Sequence, residues 1–320
     1  MSKKYAVTGC AGFIGSNLVD KLLGQGHQVV GFDNLCTGQK KFMTLALANP
    51  LFTYVECDLL EQGSFEHHFA SVDTVFHLSA NADVRFGADH PRKDLEQNTI
   101  VTYNILEAMR KNGVRQIAFS STGSVYGEAA VIPTPEDAPF PIQTSLYGAS
   151  KLACEGLIAA YCETFQLKAW IFRFVSILGE RYSHGHIFDF YKQLMQDSSR
   201  LTVLGNGTQK KSYLYVQDCL DAIFIALQSS TAPVQIFNLG ADHYCQVTDS
   251  IGWICETLGV TPDIQLGSGN RGWIGDNPFI FLESQKIRSL GWTPKLTIRE
   301  GIIKTVQYLQ QNEWLFHVRS

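Results

Sequence analysis

The chain has 320 residues, 35.6 kDa, 45% hydrophobic residues, a mean hydropathy of −0.03, a formal net charge of −4 and a pI near 6.1. That is enough to bury a large core, one α/β domain or one with a smaller lobe. It offers no basic footprint for nucleic acid and no run near the roughly eighteen apolar residues that cross a membrane.

Tyr5-Ala6-Val7 reads as a short buried strand, followed by Thr8-Gly9-Cys10-Ala11-Gly12-Phe13-Ile14-Gly15. Ile14, Leu18, Leu22 and Leu23 then recur at helical spacing until Gly24 and Gly26 stop the helix. Strand, glycine turn and helix together form a cradle for a pyrophosphate: the glycines allow close backbone approach, and the free N–H groups and positive dipole of the helix receive the negative charge. The next strand, Gln28 to Phe32, ends in Asp33, 33 − 15 = 18 residues past the last glycine. An acid there accepts hydrogen bonds from an adenosine ribose and repels a 2′-phosphate, which favours NAD over NADP.

Strands and helices keep alternating from Lys4 to about Val175. Strands are predicted at Leu51 to Cys57, Val72 to Leu78, Val114 to Phe119 and Leu167 to Val175, with helices at Phe65 to Ala70, Lys93 to Asn112 and Tyr147 to Phe165. Pro133, Pro135, Pro139 and Pro141 mark a loop. The rhythm predicts a doubly wound parallel sheet, Rossmann-like, over residues 1–176. After Ile177 the helices shorten (His186 to Gln196, Asp218 to Gln228, Thr248 to Leu258, Glu283 to Leu290, Ile298 to Gln311) and strands such as Leu201 to Leu204 are brief. Residues 177–320 read as a smaller mixed α/β substrate lobe, with about 216–240, including the apolar Val234 to Leu239, rejoining the main sheet. The eight cysteines are scattered with no Cys-x-x-Cys pair, as reduced thiols in a cytoplasmic protein would be, and Met1-Ser2-Lys3-Lys4 runs straight into a strand without a signal peptide.

Tyr147 and Lys151 stand four apart at the start of a helix, on one face. An ammonium beside a phenol favours the phenolate and is expected to pull the tyrosine pKa down, making a base that takes a proton from a hydroxyl while a nicotinamide takes the hydride. The bland alternative is a chance surface pair. The hydroxyls of Ser120-Ser121-Thr122, at the C-terminal end of a parallel strand, favour the catalytic reading because such ends face the cofactor crevice. His184-Gly185-His186 lacks the further ligands a zinc site needs, so no metal is expected.

Taken together, Thr-Gly-x-x-Gly-Phe-Ile-Gly at Thr8 to Gly15, Asp33-Asn34, Asp58-Leu59, His77-Leu78-Ser79-Ala80, Asn98, Ser120 to Gly127, Tyr147-x-x-x-Lys151 and Lys211-Ser212-Tyr213-x-x-Val216-x-Asp218 resemble the extended short-chain dehydrogenase/reductase family. The likeness is to its nucleotide-sugar epimerase/dehydratase branch, and most of all to UDP-sugar 4-epimerases. It implies an NAD site of Gly9, Gly12, Phe13, Ile14, Gly15, Asp33, Asn34, Asp58, Leu59, Leu78, Ala80, Asn98, Ser120, Tyr147 and Lys151. Within it Asp58 and Leu59 would border the adenine, Ala80 and Ser120 the nicotinamide half, and Lys151 the nicotinamide ribose. Thr122 would hydrogen-bond the sugar 4-hydroxyl, and Tyr147 would be the acid/base. Sugar dehydratases place Asp and Glu directly after the threonine; Gly123 and Ser124 stand there instead, which disfavours elimination and favours oxidation at C4 followed by re-reduction.

The resemblance further implies substrate contacts from Arg85, Thr122, Ser124, Ser176, Lys211, Arg271 and Asp276, a nucleotide-diphosphate sugar as partner, and a homodimer through the helices at Lys93 to Asn112 and Tyr147 to Phe165. Three positions depart from the pattern: Lys211 replaces the usual arginine, Ser176 stands where asparagine is frequent, and Arg271 comes five residues before Asp276 instead of three. Ala82 to Phe86 is similar to a segment of uronate 4-epimerases, so a UDP-hexose and a UDP-hexuronate both remain candidates. The rival readings are a nucleotide-sugar reductase, dehydrogenase or dehydratase, and a non-catalytic NAD(H)-binding protein.

Overall fold

Five apolar runs of the N-terminal half become neighbouring strands: Lys4–Thr8 (β1), Gln28–Asp33 (β2), Phe52–Glu56 (β3), Thr74–His77 (β4) and Gln116–Thr122 (β5). With Lys168–Phe174 (β6) and Val234–Leu239 (β7) they form a seven-stranded parallel sheet in the order β7-β6-β5-β4-β1-β2-β3. The computed structural model describes residues 2–81, 83–140, 142–229, 232–269, 271–272, 277 and 279–318, without the side chain of Phe86. Helices on both faces explain why the central strands carry apolar residues at consecutive positions: Ala6, Val7, Val75, Phe76, Ile117 and Phe119 are all buried. Strand order reverses between β1 and β4, whose ends pair at Thr8 and His77. A crevice opens at such a switch point, beyond the C-terminal ends of the strands.

Three helices set the site. Phe13–Gly24 (α1) buries Leu18, Val19, Leu22 and Leu23. Val101–Asn112 (α2) buries Ile105, Leu106 and Met109 and is closed by Gly113 in the left-handed region, at φ 71°. Leu146–Phe165 (α3) starts at Ser145, whose hydroxyl accepts from the Gly148 N–H at 3.0 Å. The helix expected from Lys93 to Asn112 is not uniform: Pro91–Asp94 is one α-turn, Leu95–Ile100 is π-helical, and only then does α2 begin. Apolar spacing reports a helix but not the extra residue per turn that makes a π-turn. Strand β5 also runs past its expected end at Phe119, carrying Ser120, Ser121 and Thr122 within the ladder.

The chain divides into two compact units, Met1–Val125 with Ser145–Arg173 and Phe224–Phe237, and Tyr126–Thr144 with Phe174–Ile223 and Asn238–Ser320. In the second, Tyr213–Tyr215 pairs in parallel with Ser176–Leu178, Lys210–Lys211 lies between Cys245–Gln246 and Phe279–Ile280, and Asp263–Leu266 pairs with Arg200–Val203. Helix Ile298–Gln311 starts with a capping box between Thr297 and Glu300. All eight cysteines are free, and among the described residues no helix is long and apolar enough to cross a membrane.

Candidate active site

The glycines after β1 differ in what they tolerate. Gly9 sits at φ +69°, and a Cβ on it would lie 2.9 Å from the Ser79 backbone nitrogen; a Cβ on Gly15 would fall 2.0 Å from the Gly9 carbonyl oxygen. These two are required by the protein's own backbone. At Gly12 a Cβ would touch only the Gly9 carbonyl oxygen, at 3.2 Å, so this glycine keeps its outer side clear. Gly12 is also the N-cap of α1 and offers no side-chain acceptor to the first N–H groups, of which Phe13, Ile14 and Gly15 belong to the opening turn. An anion can take that place.

At the tip of β2, Asp33 Oδ2 accepts from the Ala11 N–H at 2.9 Å and Oδ1 from the Leu35 N–H at 2.8 Å. Burial pushes its carboxyl above the ordinary range and the two N–H groups pull it back. The Asn34 side chain accepts from Cys36 N–H at 3.0 Å. Asp58 accepts from Leu60 N–H at 2.9 Å, and the carbonyl of buried Leu59 accepts from Asn104 at 2.8 Å. The Leu78 N–H donates to the Thr8 hydroxyl at 3.1 Å, with half-buried Ala80 two residues on. A cleared glycine, an uncapped helix start and a carboxylate oriented at the end of β2 fit a dinucleotide with a free ribose 2′-hydroxyl.

At the end of β5 the Thr122 hydroxyl faces the Tyr147 phenol and reaches the Ser124 hydroxyl at 3.2 Å; the Ser124 N–H donates back to Thr122 Oγ1 at 3.1 Å. Lys151, 2% exposed, donates from Nζ to the Ser120 carbonyl at 2.8 Å and lies 4.7 Å from the centre of the Phe119 ring. Ser120 in turn donates its hydroxyl to the His77 carbonyl at 3.2 Å. Burial pushes the Lys151 ammonium down to about 8.

The expected depression of the Tyr147 pKa is not found in the protein alone. Burial pushes the phenol up to about 12; the Thr122 hydrogen bond pulls it down, and Asp94 and Cys154 add to the rise. Lys151 directs its charge at the Ser120 carbonyl, so spacing on the helix face overstated its hold on the phenol. His77 is held by Thr8 at 2.8 Å and Thr102 at 3.0 Å, and burial keeps it neutral, down to about 3.

Behind this pair the family resemblance named Asn98, but sequence reading missed its partners Asn81, Asp94 and Ser150 and the Glu155–Arg173 pair. Asn98, in the π-turn, donates from Nδ2 to Ser150 Oγ at 2.8 Å and to Asp94 Oδ1 at 3.3 Å, and its Oδ1 accepts from the Asn81 N–H at 2.8 Å. Glu155 accepts from Arg173 at 2.7 and 3.1 Å and from the Ser121 hydroxyl, all three side chains being buried. Asp94 and Asn98 at i, i+4 hint at a shared helix face, but nothing in the pattern shows that the face is buried.

Of the expected substrate residues in the first unit, Arg85 is exposed on the helix Val84–Asp89, its N–H donating to Asp83 at 3.1 Å. In the second unit, exposed Ser176 begins its strand and the Lys211 ammonium donates to the Asn277 carbonyl at 3.2 Å. Arg271 forms an ion pair with Glu128. Asp276 lies outside the described residues. His186 is half-buried in this unit, 2.6 Å from the Tyr213 hydroxyl and 3.1 Å from Ser250.

The chain and its fold have relatives among known proteins. Residues 5–240 match a family model described as the NAD dependent epimerase/dehydratase family. The UDP-glucose 4-epimerase of Mycolicibacterium smegmatis is 30% identical over 312 residues, 95% of this chain and 97% of its own. A crystal structure of UDP-galactose 4-epimerase superposes with a TM-score of 0.88 at 36% identity, covering 97% of this chain and all of that one. The UDP-glucuronic acid 4-epimerase of Bacillus cereus, in complex with UDP-glucuronic acid and NAD, superposes with a TM-score of 0.87 at 26% identity, covering 97% and 99%.

Proposed function

We propose, for a chain that belongs to the NAD dependent epimerase/dehydratase family, the activity of a nucleotide-sugar 4-epimerase acting on a UDP-hexose or UDP-hexuronate. The observation that carries this reading is the Thr122 hydroxyl facing the Tyr147 phenol at the end of β5, followed by Gly123 and Ser124, which supply no carboxyl. One group able to move a proton is enough to oxidise and re-reduce C4; elimination of water needs a second. Bound NAD supplies the acceptor that takes the C4 hydride and returns it to the opposite face of the 4-keto sugar.

Tyr147 takes the proton of the 4-hydroxyl and gives it back. Thr122 orients both hydroxyls, Ser124 braces Thr122, and Lys151 supplies positive charge and a ribose contact. Gly9, Gly12, Phe13, Ile14 and Gly15 receive the pyrophosphate, Asp33 and Asn34 the adenosine ribose, Asp58 and Leu59 the adenine, and Leu78, Ala80, Asn98 and Ser120 the nicotinamide half. Lys211, Arg271 and Asp276 hold the diphosphate, for which Arg271 would exchange Glu128, while Arg85 and Ser176 contact the sugar. Binding energy then comes from the nucleotide diphosphate, leaving the hexose free to turn over.

Leu95 and Ile100 on the π-helical segment and Tyr103 in the first turn of α2 are 54%, 38% and 43% exposed, which supports the homodimer; the free cysteines suit the cytoplasm.

Proton NMR of the purified protein with UDP-, GDP-, CDP- and dTDP-hexoses and hexuronates, without added cofactor, tests the activity. A new anomeric signal from a C4 epimer is expected. Turnover only after NAD(H) is added would make the protein a reductase or dehydrogenase instead. For Asp33→Asn, NAD is expected to bind about tenfold more weakly and the preference over NADP to narrow, because one charged ribose contact becomes neutral. Calorimetric titration of both cofactors checks this, and an unchanged ratio removes Asp33 from the ribose site.

A further inference from the structure

Asp94 is a carboxylic acid 1% exposed, placed where the π-turn begins. Its Oδ1 accepts from Asn81 Nδ2 at 2.9 Å and from Asn98 Nδ2 at 3.3 Å. Its Oδ2 is buried and has no hydrogen-bond partner among the described residues. The space for that oxygen is made by Gly87, where a Cβ would come within 2.1 Å of it. From the carboxyl a chain of donors leads to the acid/base: Asn98 Nδ2 bonds Ser150 Oγ at 2.8 Å, and Ser150 Oγ donates to the backbone carbonyl of Tyr147 at 2.8 Å. The π-turn makes this possible by setting Asn98 between Asp94 and Ser150, a backbone departure that clusters at functional sites.

The ionisable surroundings single Asp94 out. Tyr147 faces Thr122, Asp94 and Cys154; Lys151 faces Asp94, Cys154, Glu155 and His77; Asp94 itself faces Asp83 and Lys151. His77 is neutral, and burial raises the Cys154 thiol so that it stays protonated. Glu155 is neutralised by its ion pair with Arg173. Among the described residues Asp94 has no such cation at salt-bridge distance, which leaves it as the acid facing both Tyr147 and Lys151 without an ion pair within that set. Burying a carboxyl costs several kcal/mol unless its charge is used or compensated.

We propose that Asp94 is a positioning residue that fixes Tyr147 through Asn98 and Ser150 and sets, by its charge, the pH at which the Tyr147–Lys151 pair exchanges protons. The inference rests on the assignment of Tyr147 as acid/base. A negative charge beside a phenol and an ammonium holds protons on both, so its removal lowers both pKa values.

In Asp94→Asn, which keeps the shape, the acid-side midpoint of the turnover–pH profile is therefore expected to fall by about one unit. Tyrosinate absorbance of the protein, with the Tyr147→Phe signal subtracted, should shift in the same direction without any substrate. A slower Asp94→Asn enzyme whose two midpoints stay in place would make Asp94 merely structural and overturn the proposal. If Asp94→Asn does not fold, Asn81→Ser serves: it removes one hydrogen bond from the carboxylate, makes Asp94 easier to protonate, and should move the midpoints the same way by less. Unmoved midpoints in folded Asn81→Ser overturn the proposal equally. Failure of the unsubstituted protein to epimerise any nucleotide sugar would sink the activity alone, since the absorbance titration still reports on Asp94.

Discussion

Tyr147→Phe is expected to lower epimerisation at least about a thousandfold while NAD stays bound and the melting temperature hardly changes. The substitution removes one oxygen from a side chain whose ring is held by its surroundings. Thr122, which faces the phenol, keeps the Ser124 N–H and hydroxyl, so its hydroxyl is not orphaned and the fold has little reason to respond. The chemistry does respond. General acid–base catalysis contributes about 10²–10⁴-fold in a single proton transfer, and an epimerase needs the same group twice, to take the 4-hydroxyl proton and to give it back. With burial pushing the phenol up to about 12 in the protein alone, Tyr147 is poised as an acid; its base form would need positive charge that an oxidised nicotinamide would supply when bound. NMR of the sugar nucleotide measures the rate, and absorbance of released cofactor measures occupancy. Full turnover in Tyr147→Phe would remove the residue from the mechanism.

What could be read from the sequence follows from how local each feature is. The cradle is contained in Thr8 to Gly15, because strand, turn and helix start are contiguous, Gly15 is demanded by a contact within the turn and Gly9 by its own positive φ. Asp33 was legible for the same reason: it ends the next strand, and β2 pairs directly with β1. The parallel sheet showed itself because strands covered on both faces must be apolar throughout. The arrangement behind the acid/base pair did not, and Asn98 entered only through the family resemblance. Asn81, Asp94, Asn98 and Ser150 are brought together by a π-turn and by the packing of one helix on another, and polar residues in a helical pattern read as a solvated face until burial is known. The Tyr147 pKa failed on the same ground. Four-residue spacing was visible, but not that burial dominates the phenol or that Lys151 turns to a strand carbonyl.

Burial also makes the ion pair one turn past Lys151 on α3 the place where a single substitution should cost most stability. Glu155 lies on α3, Arg173 near the end of β6 and Ser121 on β5, one residue before Thr122. Their side chains are 6%, 1% and 3% exposed. The carboxylate accepts from Arg173 Nη2 at 2.7 Å and Nε at 3.1 Å as well as from the Ser121 hydroxyl, so one group ties a helix to two strands. Glu155→Ala leaves a guanidinium buried with no counter-charge, and stability is expected to drop by about 3–5 kcal/mol in urea unfolding. The pair need not add that much in its own right, because desolvating two ions offsets most of their attraction. The triple replacement Ser121→Ala, Glu155→Leu, Arg173→Met, which leaves neither charge nor hydroxyl without a partner, should therefore recover most of the loss. If Glu155→Ala unfolds within about 1 kcal/mol of the unsubstituted protein, the ion pair does not pin α3 to the sheet. If the triple variant is as unstable as the single one, the cost is cavity and packing instead of an orphaned charge.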